Sequence, residues 1–415
     1  MSSDHAFRYA KASHAAAHTG DYVFHQLIPY IGNKRKLLGL IQTALAFTDA
    51  RPGDSFLDLF AGSGVVARMA KRLGFAVSAN DWEPYAEAIN RCYIVASAAP
   101  PYAALGGYDA ALATLNGLEP QVGWVTRHLC PADDQRPDMA HERMFYTRAN
   151  GMRIDAIREQ IAAWFAAGAV DELEQACLLA PLLYQASYTS NTSGVFKGFH
   201  HGWGGRTGTA LYRILSSCML RPAVFHDNGL PGLVYRLEAE ALARRLAAAG
   251  ERVKIAYLDP PYNQHPYGSN YHVLNSITLW DKPQLSERIE GRNKAAIRAD
   301  WRSERRSAYN YRGEATRAYA ALLGALQADH ILTSYSSDGM IGLEDLVGAC
   351  VARGHTQVAL QAYKRYRVST QRFSPKPLNV ELVLVVNTAR PHSGPDPSSI
   401  AGAIRQAEAA ALEAR

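Results

Sequence analysis

The chain has 415 residues, of which 48% are hydrophobic and 20% are charged, and its formal net charge is +6. This is the composition of an ordinary globular protein, long enough for one large α/β domain with an elaboration or for two domains. Residues 1–22 have no apolar core of the signal-peptide type, and no stretch of about 18 apolar residues occurs anywhere. The composition therefore predicts a cytoplasmic protein without a membrane-spanning segment.

The cysteine and histidine patterns predict neither a disulfide framework nor a metal site. The five cysteines are widely scattered and form no Cys-x-x-Cys pair. His200 and His201 are adjacent, but no further ligands occur at a spacing that would complete a zinc site.

The first informative elements are a strand, a glycine-rich turn and a helix. Residues 55–60 read as a buried strand, Ala61-Gly62-Ser63-Gly64 as the turn, and residues 65–73 as the helix. Such a turn lets a ligand approach the backbone, and the helix start offers free N–H groups. The next predicted strand, residues 75–79, leads to Asp81, about 20 residues after the turn, the spacing of an acid that binds ribose hydroxyls. With Asp58 at the end of the first strand, the pattern predicts a site for an adenosine-bearing ligand.

Residues 101–250 read as a long insertion that begins with loops and continues with helices over residues 148–166 and 170–184. Residues 188–206 follow and are rich in glycines, aromatics and hydrogen-bonding side chains. Such a loop suits reading base edges or bracing a flipped nucleotide. The alternative is a long structural loop packed by its own aromatic side chains. The predicted DNA contacts in this loop are Asn191, Lys197 and Trp203.

A second predicted site follows the apolar strand over residues 253–258. Asp259-Pro260-Pro261-Tyr262 ends that strand, because neither proline can donate to a ladder. Asp259 is therefore expected at the carboxyl end of a strand, where open α/β sheets place their ligands. Its carboxylate and the Pro260 carbonyl could accept hydrogen bonds from an exocyclic amine while Tyr262 stacks on the ring. The alternative is a strand-ending turn with an incidental aspartate.

Positive charge is concentrated in two later segments. Residues 288–317 contain nine basic and four acidic side chains, and residues 362–376 contain five basic side chains and no acid. Both segments also carry aromatics, which suits a polyanion with stackable bases, although solvated or salt-bridged faces remain the alternative. The predicted phosphate contacts are Arg365, Arg367 and Arg372. Residues 400–415 read as a helix in a peripheral tail.

Three segments together resemble a known family. Residues 56–64, Phe-Leu-Asp-Leu-Phe-Ala-Gly-Ser-Gly, are similar to the cofactor motif of S-adenosylmethionine-dependent methyltransferases. Residues 259–262 resemble the catalytic tetrapeptide of the amino-methylating DNA methyltransferases. Residues 30–38 resemble the amino-terminal motif of the α-group, the Dam-like adenine methyltransferases of restriction–modification systems, and the three motifs occur in the order typical of that group. Residues 269–272, 331–335 and 381–387 are similar to its later motifs, so the resemblance spans about residues 25–390.

The resemblance implies a Rossmann-like α/β methyltransferase sheet built from residues 25–100 and 251–390, an inserted target-recognition region over 101–250, and a tail over 391–415. It implies that Asp58 takes the methionine amino group and that Asp81 binds the ribose. Asp259 and Pro260 would hold the target amine, and Tyr262 would stack on the base, with support from Asn270 and Tyr271. No acid for the adenine ring of the cofactor is evident after Tyr93. The remaining implied cofactor contacts are Tyr30, Lys34, Gly62, Ser63, Gly64 and Asp259.

The implied reaction moves the methyl group of S-adenosylmethionine to N6 of an adenine flipped from duplex DNA. A cognate restriction endonuclease is a candidate partner, and the expected oligomeric state is a monomer or weak dimer. Three alternatives stay open: a cytosine-N4 DNA methyltransferase, an adenine-N6 RNA methyltransferase, and a non-catalytic DNA-binding relative. Asp at the first catalytic position favours adenine, and the retained Asp259 and glycine turn argue against loss of catalysis.

Overall fold

The computed structural model describes residues 7–9, 21–208, 210–287, 289–298, 300–301, 305–364 and 378–413. Within those residues an eight-stranded sheet is formed by β1 (Phe7–Tyr9), β2 (Ser55–Asp58), β3 (Ala76–Asn80), β4 (Leu233–Tyr235), β5 (Val253–Leu258), β6 (Ala328–Ser336), β7 (His355–Lys364) and β8 (Leu378–Asn387). The α-helices are α1 (Leu38–Leu45), α2 (Val65–Arg72), α3 (Pro84–Asn90), α4 (Tyr108–Asn116), α5 (Trp124–Leu129), α6 (Arg148–Ala166), α7 (Glu172–Tyr188), α8 (Leu211–Ile214), α9 (Ala239–Ala248), α10 (Tyr267–Asn270), α11 (His272–Leu279), α12 (Arg312–Ala325), α13 (Leu343–Arg353) and α14 (Pro397–Glu413). No helix in this part of the chain is long and apolar enough to span a membrane.

The central strands bury side chains on both faces of the sheet. In β5, Ile255 and Tyr257 belong to one apolar cluster, which also takes side chains from α1, α2 and α3. Ala256 and Leu258 belong to a second cluster with side chains from α9, α12, α13 and α14. Because parallel strands covered by helices on both faces are mainly apolar, this strand was readable from sequence as an apolar run interrupted only by Lys254.

The strand order is β1-β7-β8-β6-β5-β2-β3-β4. β8 is antiparallel to β6 and β7, and the other neighbouring pairs are parallel. From β2 the chain continues to β3 on one side, whereas β5 and β6 lie on the other side. The order therefore reverses between β2 and β5, and ligands of open α/β sheets bind at the carboxyl ends of strands at such a switch point. The predicted Rossmann-like α/β fold class is confirmed.

The structure moves one predicted boundary. Strand β4 pairs with β3, and Leu242 and Leu246 of α9 are buried beneath the sheet. Residues 233–250, which the sequence assigned to the insertion, therefore belong to the sheet and its helical layer. A three-residue strand gives too little periodicity to be recognised, so this error has a simple cause. The helices between β3 and β4 are α3 to α8.

The carboxyl-terminal helix is also more than a peripheral tail. Ile400 and Ile404 of α14 are buried in the second apolar cluster, and Arg405 forms an ion pair with Glu344 of α13. Helix α14 therefore covers part of the sheet face formed by β7 and β8.

Candidate active site

The glycine turn after β2 has backbone conformations that residues with a side chain rarely adopt. Gly62 has φ +50° and Gly64, the residue before α2, has φ +79°, which are left-handed conformations that favour glycine. A Cβ atom on Gly62 would lie 2.7 Å from the ring of Tyr30. The turn is therefore pressed against the Tyr30 ring, and its third member, Ser63, lies 3.4 Å from the Asn33 amide nitrogen.

Two acids follow β3 at the same edge of the sheet. Asp81 accepts hydrogen bonds from the backbone N–H of Gly62 at 2.8 Å and of Glu83 at 2.9 Å. The carboxylate of Glu83 accepts from the Asn275 amide and lies 3.5 Å from the guanidinium of Arg305. Burial raises the pKa of Asp81 to about 6 and that of Glu83 to about 7. A ligand that donates hydrogen bonds or carries positive charge would therefore stabilise the ionised form of both acids.

The aspartate after β5 forms an ion pair at the switch point. The ammonium nitrogen of Lys34 lies 3.0 Å from Asp259 Oδ1, with only 3% of the lysine side chain and 18% of the aspartate side chain exposed. The same nitrogen lies 5.2 Å from the centre of the Tyr262 ring. Burial raises the pKa of Asp259 above its ordinary value, and the Lys34 ammonium offsets part of that rise. Lys34 thus contacts the turn that carries Asp259.

Further acids surround this pair. Asp58 at the end of β2 is 1% exposed, and burial together with the neighbouring Asp259 raises its pKa well above the ordinary value. Glu381 of β8 is 5% exposed, and burial raises its pKa as well. The edge of the sheet is therefore rich in buried carboxyl groups with raised pKa values, an environment that suits a cationic ligand.

A cleft with about 730 Å³ of empty space opens at the carboxyl ends of β2 to β5. Three predicted site residues, Tyr30, Asp81 and Asp259, line it, whereas Asp58, Gly62, Ser63 and Gly64 do not. Among the described residues no group of three or more metal-ligating side chains occurs. The cleft is also lined by Leu59, Phe60, Asn80, Trp82, Glu83, Leu237, Glu238, Ala239, Pro261, Pro266, Tyr267, Gly268, Arg305, Ser307, Tyr309 and Asn310.

Several lining residues were missed by the sequence reasoning. Glu83 and Glu238 are acids that directly follow strands, a signal that could have identified them once β3 and β4 were both located. Glu238 caps α9, accepting from the backbone N–H of Ala241 at 2.9 Å. Asn310 donates to the Asn263 carbonyl at 2.7 Å. No local sequence pattern identifies Asn310 as a lining residue. Its contact with Asn263 depends on the path of the segment before α12, which brings Asn310 close to the Asp259 turn, residues 259–262.

Stacked tyrosines join the amino-terminal segment to α10. The ring of Tyr30 is stacked on Tyr267 at 5.1 Å and on Tyr271 at 4.9 Å between centroids. The Tyr271 hydroxyl accepts from Ile31 N–H at 2.8 Å, and the Tyr267 hydroxyl donates to the Ile31 carbonyl at 3.0 Å. These contacts hold residues 30–38 beside the Asp259 turn, which explains how Lys34 reaches Asp259. Asn270, predicted to support the same pocket, is buried, and its carbonyl accepts from Phe196 N–H at 2.7 Å.

The glycine- and aromatic-rich loop, residues 189–206, lies against this region. Asn191 is fully buried, and its amide donates to the carbonyls of Met144, His200 and Gly202 and accepts from Gly204 N–H. Asn191 therefore organises the loop, as in the structural alternative, and its amide is not presented to a ligand. The Trp203 indole donates to the Asp134 carbonyl at 2.9 Å and is partly buried.

Lys197 differs from these two residues. Its side chain is exposed, and its ammonium nitrogen lies 3.2 Å from His265 Nδ1, three residues beyond Tyr262. The loop therefore places one basic side chain next to the segment that follows the Asp259 turn. Of the three predicted DNA contacts in this loop, Lys197 has the most suitable position.

Three arginines in the described part of residues 288–317 form ion pairs with acids. Arg298 pairs with Asp281 and Asp300, and Arg306 pairs with Glu314. Arg305 points toward Glu83 in the cleft. These contacts favour the salt-bridged alternative for this segment. The second basic segment cannot be placed in the same way, because Arg365, Arg367 and Arg372 lie outside the described residues.

Comparison with family models identifies one match. The model of the D12 class N6 adenine-specific DNA methyltransferases matches residues 30–214 and 235–306. The matched part contains the glycine turn, Asp81, Lys34, the loop over residues 189–206 and the Asp259 turn.

Several curated proteins are similar to this chain over most of its length. The type II methyltransferase M.NlaIII of Neisseria lactamica is 29% identical over 340 residues, which cover 81% of this chain and 92% of the relative. M.CviAII of Paramecium bursaria Chlorella virus 1 is 27% identical over 345 residues, covering 82% and 93%. M.FokI of Planomicrobium okeanokoites is 28% identical over 347 residues, covering 84% of this chain and only 50% of the relative. Among solved structures, the rRNA methyltransferase aviRa of Streptomyces viridochromogenes aligns over 88% of this chain and 90% of its own with 13% identity and a TM-score of 0.25, a value that supports no argument.

Proposed function

Because the chain belongs to the D12 class N6 adenine-specific DNA methyltransferases, we propose that the Asp259 turn holds the target adenine and the adjoining cleft holds S-adenosylmethionine. The observation that carries this proposal is the position of Asp259. It follows β5 at the switch point of the sheet, lines the cleft and is fixed by Lys34. A carboxylate in that place can orient an amine toward a ligand bound in the cleft.

In the proposed mechanism, Asp259 and the Pro260 carbonyl accept the two N–H groups of the adenine amine. The nitrogen lone pair is ordinarily delocalised into the ring, so these hydrogen bonds favour a tetrahedral nitrogen and aim it at the methyl carbon. Tyr262 stacks on the flipped base. Asp259 acts as an acceptor rather than a strong base, because the amine need not lose a proton before it attacks.

The residues around the cleft fit the cofactor. S-adenosylmethionine, when bound, supplies a methyl group activated by a sulfonium cation. Asp81 would accept from the ribose hydroxyls. Asp58 is buried behind the cleft lining, and its assignment to the methionine amino group rests on the resemblance of residues 56–64 to the cofactor motif. Glu238, which the sequence reasoning did not identify, would accept from the exocyclic amine of the cofactor adenine, because it follows β4 and lines the same cleft. The acid-rich edge would favour the two positive charges of the ligand.

Duplex DNA is the substrate of this family, and we assign its contacts by position. Lys197 would bind a phosphate near the flipped base because its ammonium is exposed beside the catalytic turn. Arg365, Arg367 and Arg372 remain proposed phosphate contacts on sequence grounds. The proposed recognition region is the predicted insertion, residues 101–250, without the part over residues 233–250 that belongs to the sheet and its helical layer. We further propose that the protein is the modification enzyme of a restriction–modification system with a cognate endonuclease and that it acts as a monomer or weak dimer. Light scattering with and without DNA would test the oligomeric state.

Labelled methyl transfer tests the proposal directly. The protein should transfer label from S-adenosylmethionine to duplex DNA, with N6-methyladenine as the product and no labelled RNA or N4-methylcytosine. Label found in cytosine or RNA, or no transfer to any acceptor, would contradict it.

A substitution tests the role of Asp259. Asp259→Ala should lower kcat about 100-fold or more while DNA binding is retained, because the carboxylate acts on the reacting nitrogen. Asp49→Ala is the matched control, since Asp49 is an exposed acid that pairs with Lys254 at the start of β5. Turnover of Asp259→Ala within tenfold of the wild type would remove the assigned role.

A further inference from the structure

Six residues that precede α12 lie across the carboxyl ends of three strands, and we call residues 305–310 the strap. At one end of the strap, the guanidinium of Arg305 lies 3.5 Å from the carboxylate of Glu83, which follows β3. At the other end, the Asn310 amide donates to the carbonyl of Asn263, which lies beyond the end of β5, at 2.7 Å. Because β2 lies between β5 and β3 in the sheet, the strap passes over the ends of all three strands.

The strap forms part of the wall of the proposed cofactor cleft. Four of its six residues line the cleft, namely Arg305, Ser307, Tyr309 and Asn310. Between the two ends of the strap, Tyr309 packs edge-on against Phe60, which follows β2, with 5.5 Å between the ring centroids. Phe60 and Glu83 line the same cleft, so a ligand bound there contacts both the strap and the edge of the sheet.

The two ends of the strap are held by different interactions. Tyr309 and Asn310 are 3% and 5% exposed, and Tyr309 belongs to the second apolar cluster. The other end is held through its charge, because the Arg305 guanidinium pairs with Glu83 and its carbon atom lies 4.9 Å from the centre of the Trp301 ring. With 19% of the Arg305 side chain exposed, water competes for this ion pair, whereas the packing of Tyr309 is shielded from water. We therefore expect the strap to open at Arg305 and to pivot at Tyr309 and Asn310.

We propose that the strap is a gate of the cleft, closed by the Arg305–Glu83 ion pair, and that S-adenosylmethionine enters and leaves when this pair opens. The inference rests on the proposed function, because it takes the ligand of the cleft to be the cofactor. Segments that close over a ligand exclude water from the reaction and set the rate at which ligand and product leave. Arg305 is thus a positioning residue, which acts on the cofactor through the strap.

Arg305→Gln removes the charge that closes the strap. Because the pair joins two residues of the protein rather than protein and ligand, its loss should favour the open strap in the free and in the cofactor-bound enzyme alike. We therefore expect the association and dissociation rates of S-adenosylmethionine each to rise about tenfold, while its Kd changes less than about threefold. Stopped-flow binding at pH 8, above the pKa of about 7 that burial gives Glu83, measures both rates.

Two variants control for the charge and for the position. Arg305→Lys keeps the charge and should keep both rates within about threefold of the wild type. Arg306→Gln removes the next arginine, which pairs with Glu314 of α12 and does not line the cleft, and it should change neither rate. Hydrogen exchange of the backbone amides of the strap should be faster in Arg305→Gln than in the wild type or in Arg306→Gln.

A double-mutant cycle tests the route through Glu83. In a Glu83→Gln background, which keeps the shape of that side chain, Arg305→Gln should change both rates by less than about twofold, because the pair is already absent. Additive effects would overturn the proposal, as would an Arg305→Gln enzyme with both rates equal to those of the wild type.

Two further outcomes are distinguishable from these. Faster dissociation with an unchanged association rate and a higher Kd would make Arg305 a direct contact of the cofactor, which also overturns the gate. A wild type that binds no S-adenosylmethionine would overturn the proposed function itself, whereas a wild type that binds it confines a negative result to the strap.

Discussion

At the residue scale, ionising the buried carboxyl groups at the edge of the sheet costs free energy, and a ligand that pairs with them can offset part of that cost. Asp81 keeps two backbone hydrogen bonds, yet burial still raises its pKa to about 6. In the unfolded chain an aspartate has a pKa near 3.9. Because the folded pKa is the higher one, the contribution of Asp81 to stability is fully present below about pH 4 and is lost as pH rises through about 6. Glu83, with a pKa of about 7, behaves in the same direction.

Because the pKa of Asp81 is higher in the folded protein, the stability difference between the wild type and Asp81→Asn should depend on pH. Between pH 5 and pH 8 the cofactor-free wild type should lose about 1 kcal/mol of stability relative to the variant, which has no charge to bury. Over the same interval the wild type should bind S-adenosylmethionine more tightly as Asp81 ionises, while the variant should bind weakly with little pH dependence. Denaturant unfolding and calorimetric titration at several pH values measure the two trends. Parallel stability curves for the two proteins would show that Asp81 is not the titrating group.

At the element scale, the loop over residues 189–206 shows that one segment can serve structure and ligand binding through different residues. Asn191 is buried at the centre of the loop and bonds to four backbone groups. Phe196 anchors the loop to α10 and α11, because its N–H donates to the Asn270 carbonyl and its own carbonyl lies 2.8 Å from His272 Nε2. Lys197, directly after this anchor, is exposed.

Single substitutions should separate the two roles. Asn191→Ala should destabilise the protein by about 3 kcal/mol, because several buried backbone groups lose their partner. Lys197→Ala should leave the unfolding temperature unchanged but weaken binding to cognate and random duplexes alike. It should also reduce the slope of log affinity against log salt by about 0.9. Thermal unfolding and salt-dependent DNA titrations measure both. A Lys197 effect confined to the cognate site would indicate base reading, and an unchanged slope would remove Lys197 from the interface.

At the scale of the whole molecule, the sheet is covered on both faces and α14 completes one of the covers. Its buried isoleucines pack in the same cluster as Leu382 and Leu384 of β8, the strand that also carries Glu381. The last helix therefore stabilises a strand that reaches the proposed active site. This arrangement makes the carboxyl-terminal segment part of the catalytic domain in physical terms.

Two neighbouring residues of α14 offer a matched test. Ile404→Ala should destabilise the protein by about 2–5 kcal/mol, because the side chain is completely buried in the apolar cluster. Arg405→Ala removes only an exposed ion pair with Glu344 and should cost less than about 1 kcal/mol. Equal, small effects in denaturant unfolding would restore the peripheral tail that the sequence suggested.

The sequence by itself determined the elements whose signal is local. A largely apolar run predicted β5, the two glycines of residues 61–64 marked the turn after β2, and two prolines predicted the end of the strand at Asp259. The order of the motifs also determined the family. Local chemistry suffices in these cases because backbone conformation and strand burial depend on neighbouring residues.

Only the tertiary structure decided which side chains meet. Lys34 pairs with Asp259 and Glu83 faces Arg305 across more than two hundred residues of chain, so no spacing could reveal these contacts. The same reason explains the two misplaced boundaries, since β4 and α14 are recognised by what they pack against. Asn191 was equally ambiguous, because a polar residue in a loop can face a ligand or satisfy buried backbone groups, and burial alone distinguishes the two.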